Sequence, residues 1–162
     1  MPDKTDSEEC QRRAGSDESY LNEVLFRLKS MADGEVTNIG ELPAAIAQTW
    51  KGLSTRTVVI TAERREHYRL GRRQYLVTGE ALEEFERQVI LTVRDPDEIY
   101  RNASQPFTAI MWRRVSPERH MRVVVALSTS EILSNSVITA WRPSARKYQK
   151  ARDSGRLVWE RV

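Results

Sequence analysis

His67 lies in the otherwise charged stretch AERREHYRLGRR. Imidazole has an ordinary pKa of about 6.5, so it can take and give a proton near neutral pH. A surface histidine with no role is the competing reading of that residue. Arg113 and Arg114 are adjacent in the run FTAIMWRRV. In a strand, neighbouring side chains go to opposite faces, so one guanidinium can be solvated while the other meets a phosphate. Thr139 supplies a hydroxyl in the run VITAW, where strand propensity alone also explains a threonine. Trp112 and Trp141 offer ring faces on which bases can stack, or bulk for a core. Beyond Trp141 come Arg142, Arg146, Lys147 and Lys150, with no acidic residue from 142 to 150. Such a segment suits a phosphate backbone. His120 falls in a turn between two apolar runs and is the weaker of the two histidines.

The motifs of other chemistries are missing. There is no glycine-rich phosphate loop, no CxxC pair, no HExxH and no G-x-S-x-G. Two histidines and a distant Cys10 do not make an ordinary zinc site, so neither a metal nor a cofactor is expected. Any reaction must rest on His, Arg, Lys, Glu and hydroxyl groups.

Charge supports a polyanionic partner. Residues 1–40 carry five Lys and Arg against nine Asp and Glu, whereas residues 41–162 carry 21 against 14. Residues 141–162 alone carry seven against two. Arg dominates the basic body, and its planar fork suits phosphate. The acidic start, MPDKTDSEEC, lacks the apolar core of a secretory signal. No run approaches the ~18 apolar residues of a membrane span. With a single cysteine, these features predict a cytoplasmic protein without a membrane partner.

The elements that must position these groups follow from periodicity. Residues 1–18 are acidic and poor in large apolar groups, which predicts disorder. Tyr20–Met31 places Leu21, Val24, Leu25 and Leu28 at helical spacing, as a short appended helix or the tail end of a partner-binding segment. Glu41–Trp50 reads as a second helix with Pro43 in its first turn. Thr57–Ile60 is a strand, and Thr61 caps the helix that bears His67. Gly79–Thr92 is a helix with Leu82, Phe85, Val89 and Val93 inward, closed by Asp95–Pro96. Residues 101–106 read as loop. Phe107–Val115 and Met121–Leu127 form a hairpin, Ser136–Trp141 is a central strand with Ile138 and Ala140 buried, and residues 156–162 form a last strand. Helices first and a meander after them give an α+β class.

The pieces VVITAERREHYRLGRR, LTVRDPDEIYRN, IMWRRV, MRVVVAL, SVITAWRPSARKY and SGRLVWERV follow one another in an order that resembles phage-associated members of the barnase–EndoU–colicin–RelE-like nuclease group. The resemblance covers residues 40–162. It implies N-terminal helices packed on a mostly antiparallel sheet of four to five strands, and a nuclease-like domain at 41–162 behind an acidic head at 1–40. It also implies a metal-independent endoribonuclease of phage or toxin type. By position, His67 matches the helix histidine, Arg113 or Arg114 the basic strand position, and Thr139 the hydroxyl of the last core strand. His67 would then act as general base or acid on the RNA 2′-hydroxyl, an arginine would stabilise charge on the phosphate, and Thr139 would hold a non-bridging oxygen. Trp141, Arg142, Arg146, Lys147 and Lys150 would bind the nucleic acid, and an acidic inhibitor or immunity protein is an expected partner. This chain departs from the group's pattern where Ala126 and Leu127 replace the cation ending a V-V-V-K strand, and where Tyr68, Arg69 and Leu70 follow the histidine. The alternatives are a non-catalytic nucleic-acid or protein binding module of the same fold, and a structural component whose acidic head docks on its own basic face.

Overall fold

The computed structural model describes residues 18–72 and 76–162. The expectations for Cys10 and for a disordered start concern residues 1–17, which lie outside the described residues.

A helix over residues 18–29, α1, opens the described chain. Leu21, Val24, Leu25 and Leu28 form its apolar stripe, and all four are buried in the main core. Each such burial is worth about 1.5–3 kcal/mol, so α1 is part of the domain and not an appendage. The next strand, β1 (Val36–Glu41), pairs antiparallel with β2 (Thr57–Thr61). The expected boundary between residues 40 and 41 therefore runs through a strand. The helix expected over Glu41–Trp50 shrinks to the single turn α2 (Ile46–Thr49), because Glu41 is held in the β1 ladder. Gly40 sits at a register shift in β1 with φ +135, and a Cβ there would lie 2.8 Å from the Arg94 side chain. That place requires glycine.

Helix α3 (Ala62–Gly71) starts where predicted: the Thr61 hydroxyl accepts from the Arg64 N–H at 3.1 Å. Thr78 caps α4 (Gly79–Arg94) through the Ala81 N–H in the same way. Phe85, Val89, Ile90 and Val93 of α4 are fully buried against the sheet. Strand β3 (Glu98–Arg101) follows directly, between the expected helix end at Asp95–Pro96 and the loop expected from residue 101. The hairpin β4 (Thr108–Ser116) and β5 (Arg119–Ala126) lies as expected, and β6 (Asn135–Trp141) pairs with β5. The basic segment expected as an arm is instead a helix, α5 (Ala145–Asp153), capped by Ser144. Gly155, at φ +72, turns the chain into β7 (Leu157–Glu160).

Together these make an α+β fold with a seven-stranded sheet in the order β1-β2-β6-β5-β4-β3-β7. The sheet exceeds the four or five strands expected because β1 and β3 are not legible as strands in the sequence. Every adjacent pair is antiparallel except β2 and β6, which meet only at Val58–Asn135 and Val59–Ser136. There the buried Asn135 amide donates to the Thr55 and Thr57 carbonyls at 2.7 and 3.0 Å, extending the short ladder. The register of β6 shifts against Val124 and Val125, so Val137 and Ala140 both face the core while Ile138 stays half-buried. That bulge corrects the expectation that Ile138 is a core residue. Among the described residues no helix is long and apolar enough to cross a membrane.

The helices α1, α3 and α4 cover one face of the sheet and close the apolar core. The other face is different in kind. Tyr100, Trp112 and Val124 are buried there, outside that core, with α5 above them.

Candidate nucleic-acid interface

Strand register builds the face under α5. Glu160, Glu98, Trp112, Arg122 and Trp141 are consecutive cross-strand neighbours across β7, β3, β4, β5 and β6. A second row holds Leu157, Tyr100, Ile110, Val124 and Thr139. Helix α5 buries no residue of its own and is held by polar contacts. The Glu98 carboxylate, almost fully enclosed, accepts from Tyr148 Oη at 2.5 Å, Tyr100 Oη at 2.7 Å and Arg152 Nη1 at 3.2 Å. Arg152 also reaches Glu160 at 2.9 Å. The His120 ring stacks on Tyr148 with centroids 3.9 Å apart, and Trp112 meets both rings edge-on.

A cleft opens on each flank of α5, and Trp112 borders both. The larger, about 1000 Å³, is ringed by Asp97, Glu98, Glu118 and Glu160 along with Arg114, Arg161 and His120. The other is a groove of about 580 Å³ with the opposite charge. Arg101, Arg122, Lys147, Lys150 and Arg156 line it, and Asp153 is its one carboxylate. None of these five cations is in an ion pair among the described residues. Several arginines elsewhere are in ion pairs: Arg65 with Glu86, Arg87 with Glu18, Arg113 with Asp95, Arg161 with Asp95 and Asp97. Arg122 lies over the Trp141 ring, 4.2 Å from its centroid, and burial pulls its pKa below the usual guanidinium value. A half-buried cation without a carboxylate is costly unless an anion meets it.

The expected site residues scatter over this framework. His67 is exposed on α3 and borders a shallow cleft with Asp33, Gly34 and Glu63. Arg113 borders a different cleft and is consumed by the Asp95 carbonyl and carboxylate at 2.7 and 3.1 Å. Arg114 borders the acidic cleft and donates to the Pro117 carbonyl at 2.8 Å. Thr139 is on the row beside Val124 and borders none of these clefts. The expected catalytic set of His67, Arg113, Arg114 and Thr139 is therefore not brought into one place. Strand alternation separates the two arginines, and His67 faces solvent from a helix whose inward residue is Tyr68.

The expected binding set fares differently. Trp141, Lys147 and Lys150 line the groove together. Arg142 turns to the opposite face, over the Phe85 ring, and Arg146 is exposed on α5 and borders neither flanking cleft. Sequence reasoning missed Arg101, Arg122, Arg156, Glu98 and the setting of His120. One signal was present for Arg122: a lone charge inside MRVVVAL must leave the core face by alternation.

Titration follows from burial. The His120 pKa is lowered first by burial, with Arg114 adding to that and Glu98 and Asp97 opposing it. The Tyr148 phenol is pushed up to about 12 by burial, then by its bond to Glu98. Among the described residues no group of three His, Cys, Asp or Glu side chains is placed to hold a metal ion. No family model, curated protein or solved structure matches this chain, so the site is read from its own geometry.

Proposed function

We propose that this domain binds RNA in the groove between α5 and the outer sheet face. The observation that carries the reading is the set of five cations outside any ion pair of the described residues, around a groove in which the Trp141 ring is partly open. Phosphate contacts release counterions, so affinity falls steeply with salt. The test is RNA binding by fluorescence anisotropy across a salt series. Lys150→Ala is expected to flatten the salt slope by about one phosphate contact, and Arg146→Ala to leave it nearly unchanged. Salt-independent binding would remove the reading.

A second reading, the metal-independent endoribonuclease of the resembled group, is favoured by His120 in place of His67. Trp112 borders both the His120 cleft and the groove, and burial favours the neutral form of His120, which accepts a proton. In that reaction the 2′-oxygen gives its proton to His120 and attacks phosphorus. The P–O5′ bond breaks, O5′ takes a proton from water, and a 2′,3′-cyclic phosphate remains. Cleavage in excess chelator should fall about 10²–10⁴-fold in His120→Ala and persist in His67→Ala. Binding without cleavage would leave the binding module alone. A cytoplasmic location, and an acidic inhibitor protein seated on the same groove, belong to this proposal.

A further inference from the structure

The groove has a focus. Three cations surround the partly buried Trp141 ring: Arg122 of β5 at 4.2 Å from the centroid, Lys147 of α5 at 6.0 Å, and Arg72, which follows α3 and lies outside the groove's lining, at 5.6 Å. Tyr100 and Trp112 are almost fully buried, so Trp141 is the groove's aromatic with ring surface to offer. A second observation converges here. Among the described residues, two buried side-chain polar atoms have no hydrogen-bond partner, Arg72 Nε and Trp112 Nε1. Both are donors, one over Trp141 and the other on the strand next to Arg122. Buried donors are nearly always satisfied, so these two exceptions, one over Trp141 and one two strands away across Arg122, leave bonds for an acceptor-rich ligand to complete.

From this arrangement we infer that the groove takes single-stranded nucleic acid, with one unpaired base stacked on Trp141 and the flanking phosphates on Arg72, Arg122 and Lys147. The inference rests on the RNA-binding reading and narrows it. A duplex hides its base faces inside the stack and shows only edges and backbone, so it leaves the Trp141 face unused. A flexible strand can turn one base out onto an aromatic ring, with cations left for its backbone. The groove volume lies within the range of about 300–1,000 Å³ that encloses small organic ligands, which suits one base and its phosphates.

The experiment uses a labelled 2′-O-methyl RNA strand, which binds without being cut, the same strand annealed to its complement, and inorganic polyphosphate of matched charge. Binding of each to wild type, Trp141→Phe and Trp141→Leu is followed by anisotropy at fixed salt, with thermal melts checking the fold. Wild type should prefer the single strand by about 5- to 100-fold, the range of one base–aromatic stack. Trp141→Leu should erase that preference and keep the salt slope, and Trp141→Phe should retain most of it. Equal wild-type affinity for strand, duplex and polyphosphate would overturn the inference and leave the polyanion groove standing. An equal loss for all three probes in Trp141→Leu would also overturn it. No binding to any probe would remove both the inference and the proposed function.

Discussion

Two glutamates in this protein are buried with the same kinds of partner and different consequences. Glu86 on α4 receives the Arg65 fork at 2.8 and 2.9 Å and the Tyr68 hydroxyl. Glu98 on β3 receives Tyr100, Tyr148 and Arg152. Each is a carboxylate satisfied by a guanidinium and by one phenol or two, which is how a buried charge becomes tolerable. The Glu86 partners come from α3 alone, a helix already fixed by Tyr68 against Phe85. The Glu98 partners include two residues of α5, a helix that buries nothing else. The first network is a rivet inside a finished layer. The second is the main attachment of a helix that walls the candidate groove. Chemistry alone does not separate them; what each one holds does.

The comparison is easiest to break with matched substitutions. Glu86→Gln should cost about 3–5 kcal/mol, because Arg65 keeps its charge in a buried place with its counter-ion gone. Chemical denaturation measures it, and a loss under 1 kcal/mol would show that Glu86 is no rivet. Glu98→Gln should cost about 1–3 kcal/mol, the range for donors left facing a weaker acceptor. That cost should appear locally. Amides of α5 should exchange faster while those of β4 and β5 hardly change, and RNA affinity should drop. If α5 and the central strands lose protection together, the two glutamates are equivalent and the distinction fails.

How far the sequence reached is explained by the same contrast. The apolar face is legible because its signals are local: the Leu21–Leu28 stripe, the Thr61 and Thr78 caps, and the alternation in β4 and β5. Even there β1 escaped, since Asn38 and Gly40 break its alternation at a bulge. The four-residue β3 offers too short a pattern, and its strand character comes from lying between β4 and β7. Helix α5 has no apolar stripe, so nothing in ARKYQKARD announced a docked helix. Its attachment depends on Glu98, some fifty residues earlier. Trp141, Lys147 and Lys150 could be suspected because they are near one another in sequence. Arg101, Arg122 and Arg156 join them only through cross-strand register, which no single sequence window contains. His67 stands out in the sequence for the opposite reason: its residue type suits proton transfer, and its exposed place on α3, away from the groove, is invisible there.

The smallest expected effect sharpens the comparison most, because it concerns a group that one network has and the other lacks. His120 stacks on Tyr148 beside Glu98, and no histidine contributes to the Glu86 network. Burial lowers the His120 pKa, with Arg114 acting the same way and Glu98 and Asp97 against it. Its folded-state pKa thus lies below the unfolded value of about 6.5. The folded protein favours the neutral ring, so this contribution to stability is present above pH 6.5 and is lost as pH falls below it. The loss should be borne where the ring is enclosed, which is under α5. Between pH 7 and 5.5, exchange of α5 amides, corrected for intrinsic rates, should show more opening, while the α3–α4 contact stays unchanged. In His120→Gln the α5 response should flatten. An unchanged acid response in that variant would assign it to the carboxylates of the cleft, and the histidine would then have no part in holding α5.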